Sequence, residues 1–595
     1  MRKAAFVLIG LGILVVVAGQ IYVSWQPEPK PPVVANATTL RSTESGNVVG
    51  FIDKYGARSW QGIPFAQPPV GALRWRAPQP PLPNGNTLQA LKPGALCPQF
   101  ASLLSGAGEQ APQGQIAGDE DCLYLNIWSP PNATKRPVML WIHGGGNTIG
   151  HGGSYNGAAL ATQRDVVIVT INYRLGVFGW FSHPDLATGN VLDDSGNYGT
   201  LDVIRALEWV QDNIAEFGGN PNNVTVFGES AGAFDTLAMM ASPLAKGLFH
   251  RAIVQSGGFS PTPLSYGQNY QADGGSALSS RELVAKLLIH DGLAEDHDSA
   301  KTRASDMSSK TLKDYLYEKT PAQIFAQLDG GGFGMIPLPD NFGDGHVLPD
   351  LSTEEIFSDP NNHNMVPTIL GTNRDEPSLF MVRAPEHVEN WLGFLPRLKD
   401  EAAYKRAVYY GAQAWKYRGV DSLANYMSAA GNDNVYAYRF DWDEEPSQLG
   451  FDLSVALGAA HGLEIAFVFN DFDGGMGISY IYPGDEAQQS LTNSMTSYWS
   501  EFAYNGDPSQ GRDGKEIPWL SWGEQGKRSI ILDTPADQGI FMDDEEVVLD
   551  ELRDQLINDP AIKSAEERCS LYRTAFRPAA GDTHLRAACP GSDGA

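Results

Sequence analysis

In the first half of the chain, apolar positions alternate between two patterns. Residues 138–142 (Val-Met-Leu-Trp-Ile) and 166–172 (Val-Val-Ile-Val-Thr-Ile-Asn) are short, nearly continuous apolar runs. Such runs predict strands buried on both faces. Residues 201–216 instead repeat apolar side chains at helical spacing, through Val203, Ala206, Leu207, Val210 and Ile214. That helix is expected to stop at Phe217-Gly-Gly-Asn-Pro221. Residues 224–227 predict the next strand, 231–240 the next helix, and 252–255 and 367–370 further strands. Strands alternating with helices predict an α/β fold, a mostly parallel central sheet flanked by helices. Residues 265–349 are rich in Gly and Asp with helical islands, and read as an insertion over the sheet. Insertions of this kind build caps and pocket walls.

The junction between the strand at 224–227 and the helix at 231–240 is Gly228-Glu229-Ser230-Ala231-Gly232. A Gly-x-Ser-x-Gly between strand and helix is the sequence form of a turn so sharp that its serine is pushed out. The flanking glycines stand where a Cβ would collide with a neighbouring element. Ser230 is thus a candidate nucleophile, and acyl transfer the candidate reaction. The attacked carbonyl oxygen would need fixed N–H donors. His143-Gly144-Gly145-Gly146 directly follows a predicted strand upstream and can offer backbone amides, with Ala231 N–H beside the nucleophile.

In a serine site of this type the acid and then the base follow the nucleophile along the chain. The strand at 367–370 runs into Arg374-Asp375-Glu376, and either carboxylate could hold an imidazole. Of the histidines beyond them, His387 lies in a polar stretch and His584 in the tail between two cysteines. His461 sits among small residues ahead of an apolar run, and is the candidate base.

Charge narrows the partners. The 595 residues carry 42 Lys and Arg against 70 Asp and Glu, a net charge of −28. An acidic chain repels nucleic acid and anionic surfaces, so no nucleic-acid partner is expected. Met1-Arg2-Lys3 ahead of an apolar stretch makes residues 1–25 a signal peptide or signal anchor, with 26–34 a Pro-rich linker. The body is then exported, either released or anchored to the outer face of a membrane. Four cysteines in an exported chain suggest disulfides, most simply Cys97–Cys122 and Cys569–Cys589. No metal-binding spacing is present, and no metal or cofactor is expected. The hydrolase domain is expected over 35–555, with a C-terminal tail over 556–595.

At this point the motifs resemble a family. Gly62-Ile-Pro-Phe-Ala-Gln-Pro-Pro-Val-Gly71, Glu120-Asp-Cys-Leu-Tyr-Leu-Asn126, Asn172-Tyr-Arg-Leu-Gly176, Phe217–Pro221, Gly228–Gly232 and His461-Gly-Leu-Glu464 together look like the type-B carboxylesterases. These form the cholinesterase-like branch of the α/β-hydrolases, and the likeness runs from about Gly62 to Trp519. The resemblance implies an α/β-hydrolase fold with large insertions forming a gorge. It implies Ser230 as nucleophile, Glu376 as acid and His461 as base, with Gly145, Gly146 and Ala231 as oxyanion donors. It also implies a Cys97–Cys122 disulfide by the gorge, and Arg74–Glu120 and Arg174–Asp202 as structural ion pairs. The expected function is hydrolysis of a small carboxylic ester through an acyl-enzyme. The alternatives are a lipase or sterol esterase of the same family and a non-catalytic adhesion protein. Two positions depart from the pattern. Asn147 stands where an aromatic residue usually follows the glycines. Residues 98–121 hold no tryptophan to stack on a choline cation, so choline esters are not supported.

Overall fold

The computed structural model describes residues 32–108, 110–391, 395–447, 451–473, 479–578 and 581–590. The expected signal segment, 1–25, and most of the expected linker lie outside the described residues.

An 11-stranded mixed sheet forms the centre. Its strands, in chain order, are β1 (Phe51–Ile52), β2 (Arg58–Pro64), β3 (Tyr124–Ser129), β4 (Arg136–Ile142), β5 (Val167–Ile171), β6 (Gly219–Glu229), β7 (Arg251–Gln255), β8 (Thr368–Asn373), β9 (Val435–Phe440), β10 (Ser529–Leu532) and β11 (Phe541–Asp543). The spatial order is β1-β2-β3-β5-β4-β6-β7-β8-β9-β10-β11. From β5 to β10 every pairing is parallel. The antiparallel pairings are confined to the β1–β3 flank and to β11.

The apolar runs divide between two faces because successive strand side chains point in opposite directions. Val138, Leu140 and Ile142 pack with Leu207 and Val210 of helix α1 (Tyr198–Asn213) and Leu237 of α2 (Ala231–Ala241). Met139 and Trp141 pack on the other face, with Met495, Trp499 and Phe502 of α4 (Glu486–Asn505). A strand buried on both faces needs no polar alternation, which is why these runs are continuous.

The expected insertion at 265–349 carries short helices, among them Ser280–His290, Ser309–Tyr317 and Pro321–Phe325. They build their own apolar cluster against Trp75, Phe178, Phe181 and Tyr198. At the other end, α5 (Leu549–Asn558), α6 (Ala565–Phe576) and α7 (Thr583–Ala588) pack on α3 (Glu401–Lys416). The expected boundary between 555 and 556 falls inside α5. Among the described residues, no helix is long and apolar enough to cross a membrane.

Candidate active site

Strand β6 and helix α2 meet at Ser230, whose backbone sits at φ 55° and ψ −126°. Positive φ is rare for a residue with a side chain and persists only where neighbours over-determine it. They do so here. A Cβ on Gly228 would lie 2.4 Å from the Gly232 carbonyl oxygen, and one on Gly232 would lie 2.0 Å from that of Ile142. Ser230 N–H donates to the Gln255 carbonyl on β7 at 3.0 Å. The turn therefore admits only glycine at both flanking positions.

The carboxylates of Asp375 and Glu376 meet different partners. Asp375 turns to Arg374 at 2.8 Å and accepts the Ala459 N–H at 3.1 Å. Glu376 is fully buried, and its Oε2 lies 2.5 Å from His461 Nδ1. Its Oε1 accepts from Thr372 Oγ1 and Asn373 N–H, both at 2.8 Å. The imidazole is thus held in one orientation, with Nε2 directed to the other side. Phe380 and Trp415 pack against the ring, centroids 5.3 and 5.0 Å away.

His461 Nε2 has no hydrogen-bond partner with good geometry, although Glu229 Oε1 lies 3.1 Å away. Both line one small pocket with Ser230, Gly144 and Gly145, walled by Leu104, Met335 and Leu379. Met335 belongs to the insertion. Burial alone would lower the His461 pKa. The charges of Glu229, Glu376 and Glu464 and the bond to Glu376 outweigh burial and raise it to about 9. Burial pushes Glu229 up to about 8. Glu464, also raised by burial, accepts from Asn373 Nδ2 at 2.6 Å and Gln255 Nε2 at 3.1 Å.

The glycine loop after β4 borders the same pocket. Gly145 and Gly146 adopt φ +110° and +60°, where a side chain would be strained. A Cβ on Gly145 would also strike the Ile149 carbonyl at 2.3 Å. Among the described residues, the N–H groups of Gly145 and Gly146 have no acceptor. Ala231 opens α2, so its N–H precedes the first intrahelical bond. His143 stays beneath the loop: its Nδ1 lies 2.8 Å from the Gly144 carbonyl, and its ring stacks on Tyr173. Burial lowers its pKa to about 3, so it is a neutral structural group.

The expected ion-pair and disulfide residues do not line this pocket. Arg74 binds Glu120 through both carboxylate oxygens. Arg174 binds Asp202 with two 2.7 Å contacts and also donates its own N–H to it at 3.0 Å. Cys97–Cys122 and Cys569–Cys589 are both disulfides. Near this site, the buried carboxylates of Glu229 and Asp235 and the half-buried one of Asp340 escaped the sequence reading. Asp235 carried a signal, because it interrupts an otherwise apolar helix face; Glu229 sat unremarked beside the serine.

The chain is similar to known proteins along most of its length. The model of the carboxylesterase family matches residues 37–410 and 399–546. The para-nitrobenzyl esterase of Bacillus subtilis (strain 168) is 35% identical over 513 residues, covering 83% of this chain and 94% of that protein. Carboxylesterase 1C of Mus musculus is 33% identical over 540 residues, 83% of this chain and 88% of that protein. Among solved structures, a PNB esterase covers 85% of this chain and 97% of its own at 29% identity and TM-score 0.58. The Geobacillus stearothermophilus carboxylesterase covers 87% and 99% at 27% identity and TM-score 0.61. Sequence, fold and pocket therefore converge on one assignment: the chain belongs to the carboxylesterase family, with the α/β-hydrolase fold, and is a carboxylic ester hydrolase.

Proposed function

We propose that this esterase works through an acyl-enzyme on Ser230, with His461 as general base and acid and Glu376 as its orienting carboxylate. The observation that carries this reading is the His461 imidazole: one nitrogen bound to buried Glu376, the other unbonded in the Ser230 pocket. In acylation, Nε2 takes the Ser230 hydroxyl proton as Oγ bonds to the ester carbonyl carbon. The carbonyl oxygen becomes an oxyanion, stabilised by the N–H groups of Gly145, Gly146 and Ala231. Collapse breaks the ester C–O bond, and the alcohol leaves with the proton from Nε2. Water then repeats the sequence and releases the acid.

The substrates are small-molecule esters. Leu104, Met335 and Leu379 around Ser230 favour an apolar acyl group. The protein works outside the cytoplasm, carried there by residues 1–25. Two disulfides support that reading, since such bonds persist in oxidising compartments. Replacing Ser230→Ala in a folded protein should lower p-nitrophenyl acetate turnover by about 10⁴-fold or more. Retained turnover would overturn the assignment.

A further inference from the structure

Asn147 follows Gly146 and is one of the two places at which the chain departs from its family's pattern. Its side chain is buried and spans three elements. Nδ2 lies 2.9 Å from Asp340 Oδ2 and 3.4 Å from Asp235 Oδ1. Oδ1 lies 3.3 Å from the Tyr173 hydroxyl, which donates to the His143 carbonyl at 2.6 Å. The Asn147 carbonyl accepts the Gly176 N–H at 2.7 Å. Asp235 also accepts from Asn341 Nδ2 at 3.1 Å. The Asn341 side chain is in turn fixed by Thr200 Oγ1 at 3.0 Å.

Asp235 stands one helical turn beyond Ala231 on α2. The Asn147–Asp235 contact therefore joins the two elements that carry the oxyanion donors: the glycine loop and the first turn of the elbow helix. Asn147 also holds φ +56°, a left-handed conformation that Asn tolerates better than an aromatic residue. We propose that Asn147, clamped by Asp235 and Asp340, is a positioning residue that fixes the Gly145 and Gly146 N–H groups relative to Ala231. This rests on the oxyanion roles proposed above.

The protonation state fits the task. Burial pushes Asp235 up to about 8 and Asp340 up to about 6. Asp235 is thus mainly neutral at pH 7, and the loop is braced without a full negative charge on the elbow helix. An anion there would oppose the developing oxyanion. The two carboxyl groups share one amide as donor, and only an amide side chain at 147 can supply it while its oxygen faces Tyr173.

The test compares Asn147→Gly, Asp235→Leu and Asp235→Asn in the full chain. Asn147→Gly removes the amide and keeps a residue at ease with positive φ. Folding is checked by melting temperature and near-UV circular dichroism. Asn147→Gly and Asp235→Leu should lower kcat on p-nitrophenyl acetate by roughly 10- to 100-fold, with KM within about twofold. Both should weaken binding of an aryl trifluoromethyl ketone, which forms an oxyanion on the serine, by the same factor as kcat/KM. Asp235→Asn should recover most of the loss seen in Asp235→Leu. Native kcat in folded Asn147→Gly, a melting shift without a kcat change, or a change confined to KM would overturn the positioning role. Should Asn147→Gly not fold, the contrast between Asp235→Leu and Asp235→Asn decides. A native enzyme that does not bind the ketone would instead contradict the oxyanion reading beneath the proposal.

Discussion

Arg174–Asp202 and His461–Glu376 are both buried acid–base pairs, and they differ in how completely they are bonded. Asp202 is fully buried and takes three N–H contacts from Arg174. The guanidinium donates two further N–H groups to the Arg76 and Tyr198 carbonyls. Every side-chain nitrogen and oxygen of the pair is bonded, and the pair joins β5's exit to α1. Glu376 is equally buried and equally saturated. Its partner is not: His461 Nε2 ends in the pocket beside Ser230 without a hydrogen bond. Burial with every bond made gives rigidity. Burial with one bond withheld leaves a nitrogen open in the pocket, the atom that takes the serine proton in the proposed mechanism.

The largest break in this comparison comes from the acid. Glu376→Gln keeps the shape but removes the charge that orients and stabilises the imidazolium, and kcat should fall by about 10³- to 10⁴-fold. Steady-state kinetics of the folded variant checks this; a loss under tenfold would place Glu376 with the scaffold. Arg174→Met should do the reverse. It leaves Asp202 buried and unpaired, at a cost of about 3–5 kcal/mol in stability. Urea unfolding measures it, and molecules that remain folded should hydrolyse esters at near-native kcat.

The smallest effect sharpens the reactive side. In the proposed mechanism His461 must be neutral to accept a proton, so kcat/KM should rise as pH climbs through its pKa. Glu229 helps hold that pKa above the usual histidine value. Removing its charge in Glu229→Gln should move the acid limb to lower pH, by roughly one unit. A pH–rate profile decides, and a limb that stays or moves upward would remove Glu229 from the electrostatics of the base.

What the sequence made legible was local. The continuous runs at 138–142 and 166–172 became β4 and β5, because a strand buried on both faces writes its burial directly into its residues. Ser230 was legible because its turn forces glycine at both sides. The strand read at 224–227 extends back to Gly219 in the structure. A register shift between Gly219 and Val224 hides that extension under Gly-Asn-Pro, which reads as a helix stop. Strands β1, β2, β3, β9, β10 and β11 were not read. Tyr124–Ser129 sets Asn126 among apolar residues without a glycine boundary, whereas Val435–Phe440 follows a Gly-Asn-Asp-Asn turn signal at 431–434 but carries two tyrosines and an arginine. What distinguishes Glu376 from Asp375 is a contact 85 residues away, at His461. The Asn147 clamp needed partners 88 and 193 residues distant, which no local pattern encodes.

The most direct test of the account is chemical. The native protein would be treated with a fluorophosphonate, digested, and the modified peptide sequenced by mass spectrometry. One adduct per chain is expected, on Ser230 and nowhere else, with loss of esterase activity in proportion to labelling. An adduct on another residue, or full activity in a protein labelled at Ser230, would contradict it.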